Sequence, residues 1–558
     1  MQQCGWWADH LAIYFHHSNA SVYTTCDWFT EVNAMSDTDS RSSRTSHAAG
    51  GISKREFLMG AAASAAALGL VTRAQAAQTR QPWDLVVVGG GNAGLPTAVF
   101  AAQRGARVLI IEAASQVGGT LFLSTGQMSA AGTKLQRLRG IEDTPQSHFD
   151  DIMRISGNTA DTTLVKLAVE NAAPAFDWLT DHGFEPLPGH PVTGTTHDPY
   201  SHARYVWGPE GGRSILKVLN EQLAPHIASG RVTVLTQTKA KALVQDRTGK
   251  VLGVIAENAS GEQSRYLARY TVLTSGGYTS NRTMYKMLEG APTYSVATYP
   301  YSTGAGIELG LAAGGYVRGG NKHTPLFGAV AASDEYPAPI RALVRHYPPE
   351  RPPFEIFVNA LGKRFLREDI ASHTAYEQGL AAQPDERCWA VFDDAILRAA
   401  PPIAGNSITT RWSHEDTLSA FETGDVPMFY KSSTIAELAQ VAGIDSTGLE
   451  TTITDFNRGQ RDGNDALGRK HMPLPIAKPP YYAIQLQSWN LITFGGLAVD
   501  SRLQVIHDDG RPVGNLYAAG ELLGSGQLMG RSMCGGMSVT PALAFGRLLG
   551  QSILDLKA

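Results

Sequence analysis

The chain has 558 residues, with 47 Lys and Arg against 51 Asp and Glu, a formal net charge of −4. Apolar residues make up 43% and charged residues only 18%, which excludes a disordered chain; with no long basic stripe, nucleic acid is excluded as a partner. Glycine, at 58 positions without a Gly-x-y period, points to tight turns and close backbone approaches to a ligand.

Residues 1–34 are rich in Trp and His and carry no clean period. They either precede the natural start, with Met35 as initiator, or form a peripheral extension. Ser, Thr, Asp and Gly dominate 35–52, so 1–52 reads as an N-terminal extension unable to bury a core. Residues 53–77 carry Lys54-Arg55, then Phe57-Leu58, an Ala-rich run and the small-x-small site Ala74-Gln75-Ala76. This resembles a twin-arginine signal peptide with Lys54 in place of the first arginine, cleaved after Ala76, and implies export to the periplasm or beyond. An Ala-rich surface helix is the alternative. No apolar run reaches the ~18 residues of a membrane span, so stable membrane insertion is not expected. The four cysteines, at 4, 26, 388 and 534, have neither zinc nor disulfide-framework spacing, and no metal site is expected.

Asp84–Gly89 reads as a short strand buried on both faces, because Leu85, Val86, Val87 and Val88 are consecutive. Gly89, Gly91, Asn92, Ala93 and Gly94 then make a GxGxxG turn, a helix runs to about Gly105, and a second strand, Arg107–Ile111, ends at Glu112. The glycines permit the sharp turn and close approach of a pyrophosphate, the helix N-terminus stabilises its charge, and an acid at 112 accepts ribose hydroxyls. A Gly-Gly pair, Gly118-Gly119-Thr120, soon after that acid and its neighbour Ala113 resembles FAD enzymes rather than NAD dehydrogenases. The strand-like Asn515–Ala519 followed by Gly520 and Glu521 fits the same cofactor. So does Thr274-Ser275-Gly276-Gly277.

Residues 84–558 resemble the fumarate reductase/succinate dehydrogenase flavoprotein family, which includes 3-ketosteroid dehydrogenases. The landmarks continue through Ser124-Thr125-Gly126, Gly211–Ser214, Gly304-Ala305-Gly306, Gly362-Lys363-Arg364-Phe365, Thr493–Leu497 and Phe545-Gly546-Arg547. The resemblance implies an α/β fold: a Rossmann-like FAD-binding domain in two parts, 82–318 and 493–558, with an inserted α+β capping domain, 319–492. It places Ser538 and Val539 among the FAD contacts. Thr120 stands where covalent members carry a flavin-linked histidine, so FAD is expected to be noncovalent. Ser372 replaces the arginine that donates a proton in fumarate reductases, and Ile492 replaces a histidine, which argues against fumarate as substrate.

Hydride exchange at flavin N5 next to a carbonyl needs an acid or base and a donor for the developing negative charge. Arg531, after a Gly-rich turn, is the candidate to grip a carbonyl or carboxylate; a structural ion pair is its alternative. His323, His373 and Tyr376 are candidates for proton transfer or substrate contact, with interior packing as the competing reading. Cys534 reads as a buried apolar thiol, and Tyr200-Ser201-His202 lacks a nucleophile elbow. The expectation is an FAD-dependent oxidoreductase acting on a CH–CH or C=C bond adjacent to a carbonyl, most simply dehydrogenating a cyclic or steroid-like ketone. Electrons would pass to a quinone or soluble electron carrier. The alternatives are an enoate reductase for an unsaturated carboxylate and a flavin-binding electron-transfer component without its own substrate.

Overall fold

The computed structural model describes residues 82–554 apart from 195–196, 292–293, 296–297, 336–337, 345, 407–409 and 425. The expected extension (1–52) and signal peptide (53–77), with Cys4 and Cys26, lie outside the described residues. Among the described residues, no helix is long and apolar enough to cross a membrane, and no His, Cys, Asp and Glu cluster could hold a metal.

In chain order the first elements are β1 (Trp83–Val88), α1 (Gly94–Gln103), β2 (Val108–Ile111), α2 (Thr162–Asp181), α3 (Gly212–Ala228), β3 (Val232–Leu235), β4 (Lys239–Gln245), β5 (Val251–Glu257), β6 (Gln263–Leu273) and α4 (Arg282–Glu289). Then come β7 (Leu326–Ala331), β8 (Ile340–Val344), β9 (Ile356–Val358), α5 (His373–Ala381), β10 (Arg387–Asp393), β11 (Phe429–Ser432), α6 (Ser446–Asp462) and β12 (Tyr481–Asn490). The chain returns through β13 (Gln504–Ile506), β14 (Pro512–Ala518) and α7 (Val539–Ser552).

The first sheet runs β13-β14-β6-β1-β2-β3, with β5 and β4 added antiparallel beside β6. Its centre is parallel: Leu85 to Val88 pair with Val108 to Ile111 on one side, and Val88 pairs with Leu273 on the other. A parallel centre needs cover on both faces, which explains why four consecutive apolar residues of β1 are all buried. Helix α7 supplies part of that cover, packing on α1 and α2.

The second sheet runs β9-β10-β12-β7-β8 and on to Ala404–Gly405; β11 and Tyr294–Ser295 also pair with β12. Its core includes Phe327, Phe357, Val391, Phe392, Ile484 and Leu486. A buried ion network ties the segments between strands to this sheet. Arg364 makes paired contacts with Glu368 and reaches Asp465 at 2.5 Å. Arg469 donates to Glu355 O at 2.6 Å and Pro353 O at 2.5 Å, and Arg351 forms a bidentate pair with Glu355. The Gly-Lys-Arg-Phe landmark thus contributes a structural cation, and the proline-rich 348–353 segment is fixed as a rigid loop. Buried charges of this kind are tolerated because every partner is satisfied; removing one would strand the rest.

Candidate functional site

The carboxyl ends of β1, β2 and β6 meet at the glycine turn. Gly89 has φ of +100°, and a Cβ on Gly94 would sit 1.9 Å from the Gly89 oxygen, so the turn closes only with glycine at 94. A Cβ on Gly91 would meet nothing within 4 Å, so that edge of the turn is open. Leu95 N donates to Gly91 O at 3.0 Å, which starts α1 with its N-terminus at the turn. Glu112 closes the far side, accepting from Gly90 N through Oε2 and Ala114 N through Oε1, both at 2.8 Å. Burial pushes its carboxyl up, against these backbone bonds that hold it down.

Two distant segments join the turn. Gly118 N donates to Gly90 O at 2.8 Å, docking the Gly118-Gly119-Thr120 pair and the short helix Gly119–Phe122 beside it. Gly212 N bonds Ser124 O, and Ser124 Oγ accepts from Gly126 N at 3.0 Å; Thr120 and Thr125 are exposed there. From the C-terminal part, a Cβ on Gly520 would lie 3.1 Å from that of Ala93, and Asn92 Nδ2 donates to Val539 O at 2.8 Å beside Ser538. Gly276 has φ of +78°, and the next glycine abuts Glu521, whose Oε1 accepts from Thr493 N at 3.2 Å. Burial raises Glu521 to about 7, with the Thr493 bonds opposing. Asn92 Oδ1 and Ser275 Oγ are buried without a partner among the described residues. A helix N-terminus, a fixed carboxylate, an open glycine edge and these unmet polar atoms fit an FAD dinucleotide.

Beyond this cradle, α5 lies over the loop that carries Arg531. Gln378 Nε2 donates to Arg531 O at 2.7 Å, and Arg531 N donates to Thr159 Oγ1 at 2.8 Å. The guanidinium is exposed, and among the described residues no carboxylate pairs with it. Lys322 is a neighbouring cation: burial lowers its pKa, Asp161 opposes that, and Arg318 and Arg531 add to it.

The other candidates separate. His373 stands first in α5, its backbone N donating to Asp198 Oδ1 at 2.6 Å and its ring stacked on Tyr347 at 4.1 Å. Tyr376 is fully buried in the second sheet's core, against Phe327 and Phe357, and its hydroxyl donates to Glu368 O. His323 lies between two buried glutamates, with Nδ1 3.4 Å from Glu289 Oε2 and Nε2 3.1 Å from Glu386 Oε1. Burial works to lower its pKa, but the glutamates outweigh that and raise it to about 9. Tyr200 OH donates to Gly535 O at 2.5 Å, and Tyr205 OH donates to Gln127 Oε1 at 2.5 Å. Ser201 Oγ donates to Asp151, itself paired with Arg204 and Arg154, so Tyr200-Ser201-His202 belongs to an ion network. Burial pushes the Cys534 thiol up to about 12, leaving a packed, unreactive sulfur at neutral pH.

Sequence reading missed Asp198, Glu289, Glu386 and Lys322. Their roles come from contacts across long stretches of chain, and among them only Lys322, adjacent to His323, stood beside a quoted candidate.

The His323 cluster has a pH signature. Its folded pKa lies above the ordinary value of 6.5, so its contribution to stability is complete below about 6.5 and lost as pH rises through about 9. Thermal melts should therefore lose several degrees across that window, and His323→Gln should melt lower at pH 6 with a flatter profile. Parallel profiles for the two proteins would remove the cluster from the account.

Residues 84–538 match the FAD binding domain family. The chain is 27% identical over 490 residues to the probable fumarate reductase Ifc3 of Shewanella frigidimarina, covering 86% of this chain and 76% of that protein. It is 29% identical over 495 residues to the urocanate reductase of Eggerthella lenta, covering 85% and 75%. Among solved structures, 3-ketosteroid delta1-dehydrogenase from Sterolibacterium denitrificans superposes with a TM-score of 0.65 at 18% identity, covering 84% of this chain and 99% of that one.

Proposed function

The chain belongs to the FAD binding domain family and is an FAD-dependent oxidoreductase of C=C or CH–CH bonds; from that premise we propose that it acts on a C=C bond conjugated to a carboxylate. The observation that carries this reading is the Arg531 guanidinium, exposed and without a carboxylate partner among the described residues, with Lys322 beside it. Two neighbouring cations favour an anion over a neutral ketone. The urocanate reductase and fumarate reductase relatives act on unsaturated acids by name.

The bound cofactor supplies a hydride donor or acceptor. Arg531 orients the acid and stabilises charge that spreads onto its carboxylate as the double bond is reduced. Gly89–Gly94, Glu112, Gly118–Thr120, Ser124–Gly126, Gly276, Gly520, Glu521, Ser538 and Val539 hold the dinucleotide noncovalently. The division at 318/319 and 492/493 is supported by the second sheet, whose strands lie between those points apart from Tyr294–Ser295, and it makes α5 the lid over Arg531. The ketone dehydrogenation expected from the C-terminal landmarks is the second reading. The Tyr200 and Tyr205 hydroxyls donate to protein acceptors, which weighs against their gripping a ketone. The Lys54-Arg55 and Ala74-Gln75-Ala76 pattern supports export, with a quinone or soluble carrier as electron partner.

The test is anaerobic reoxidation of dithionite-reduced protein. Fumarate, urocanate and trans-cinnamate are each compared with 1,4-androstadiene-3,17-dione. Return of flavin colour with at least one acid and not with the ketone is expected. Return with the ketone alone would overturn the carboxylate reading.

A further inference from the structure

Helix α5 is fixed to the second sheet by Tyr376, which is buried against Phe327 and Phe357 and donates through its hydroxyl to Glu368 O. Two further contacts of the helix reach segments outside that sheet. At its start, Ser372 caps the helix, with Oγ accepting from Ala375 N at 3.2 Å. The same hydroxyl donates to Asp198 Oδ2 at 2.8 Å, and His373 N donates to Asp198 Oδ1 at 2.6 Å. Asp198 comes from the loop between α2 and α3, 174 residues before Ser372. Its carboxylate meets an orphan N–H of the first turn, at the helix end where the peptide dipoles favour negative charge. Five residues on, about 7.5 Å along the axis, Gln378 Nε2 donates to the Arg531 carbonyl at 2.7 Å. The other side of Arg531 is held from the chain before α2. Arg531 N donates to Thr159 Oγ1 at 2.8 Å, and Thr159 Oγ1 donates to Ser156 O at 2.6 Å. Gly530 has φ of +63°, and a Cβ there would lie 2.2 Å from Thr159 Oγ1. The Arg531 backbone therefore has two supports across this seam, and the one at its carbonyl exists only while α5 is seated.

We propose that Asp198 is a positioning residue for the reaction: by seating α5 it keeps Gln378 on the Arg531 carbonyl and so sets the guanidinium for its substrate. The inference rests on the carboxylate reading of Arg531. Asp198 acts through the helix and not on the substrate. A charge-assisted pair of hydrogen bonds holds one end of a short, stiff rod, and the neutral Gln378 bond holds its middle. Losing the pair shifts the balance between seated and lifted helix by roughly 10–100-fold. A lifted helix leaves Arg531 with one backbone support, so fewer molecules present the guanidinium ready to bind, and apparent affinity falls with the seated fraction. Substrate that does bind restores the seated state, because whatever α5 does for an occupied Arg531, the occupied Arg531 does for α5. The signature is a weaker grip on the acid with a nearly intact hydride step.

The experiment follows reoxidation of dithionite-reduced holoprotein by fumarate, urocanate and trans-cinnamate as a function of acid concentration. For an acid that reoxidises wild type, Asp198→Ala should raise the half-saturating concentration about tenfold or more, with the limiting rate within about threefold and FAD content unchanged. Gln378→Met keeps the side-chain length and loses the donor; it should give the same split to a smaller degree, and it carries the decision if Asp198→Ala does not fold. Asp198→Asn can still accept from His373 N and should recover part of the grip. In an Arg531→Ala background, Asp198→Ala should change the second-order rate by less than about twofold, because the group it positions is gone. An unaltered half-saturating concentration, or the same fold loss with and without Arg531, overturns the inference and leaves the carboxylate reading standing. If wild type is reoxidised by none of the acids, that reading fails and the role of Asp198 in substrate binding falls with it. Hydrogen exchange at the α5 amides, expected to be faster in Asp198→Ala, then still decides whether Asp198 seats the helix.

Discussion

Replacing Arg531 by alanine is expected to slow reoxidation of the reduced flavin by an unsaturated acid by roughly 10²–10³-fold, with FAD content unchanged. The split between turnover and cofactor follows from how the residue is held. Its backbone N and O are fixed by Thr159 and Gln378, so the loop does not depend on the guanidinium. The side chain is exposed, so truncation opens no cavity in the core. What is lost is a bidentate donor at the place where charge develops, and Arg531→Lys should restore only part of it because an ammonium lacks the fork. Stopped-flow traces and flavin-to-protein ratios measure both halves. Near-normal kinetics would remove Arg531 from the reaction, and loss of FAD would recast it as a structural residue.

Gly94→Ala is expected to give colourless protein. The added methyl would stand 1.9 Å from the Gly89 oxygen, which belongs to backbone and cannot swing aside. Either α1 lifts from the end of β1 or the turn opens, and both move the helix N-terminus off the pyrophosphate. Overpacking of this kind costs at least the upper part of roughly 1–3 kcal/mol, or about 100-fold in affinity. Gly91→Ala is the informative partner. Nothing lies within 4 Å of its added carbon, so the protein should melt normally without FAD, and any weakening of FAD binding reports contact with the cofactor itself. Flavin absorbance per polypeptide after desalting decides the matter; stoichiometric FAD in Gly94→Ala would show that the cradle lies elsewhere.

The FAD cradle was legible because its first half is local. Strand, turn, helix, strand and Glu112 follow one another, and the physics that forms each also sets the spacing to the next. Gly118 and Gly520 were legible for a related reason: a glycine with positive φ leaves a mark in sequence even when its partner is distant. The seam under α5 left no such mark. Tyr376 and Gln378 are two residues apart, yet one faces the core of the second sheet and the other bonds the Arg531 carbonyl. A helix with apolar and polar residues on several sides does not declare which face meets which neighbour. His323 stood out as a histidine, but its state comes from Glu289 and Glu386, which enter from separate elements only once the chain has folded.

The order of the first sheet carries a consequence for biogenesis. Strand β14 lies beside β6 in space although the whole second sheet is synthesised between them, and Ala519 N bonds Leu273 O only after that long excursion. The start of α7, still later, is bonded by Asn92 from the very first turn. A nascent chain on the ribosome therefore displays the glycine fingerprint early but cannot complete the cage around its vitamin-derived ligand until β14 and the start of α7 have been made. Capture of the flavin follows their synthesis, and premature termination anywhere in the second sheet yields a fragment with the signature but no grip.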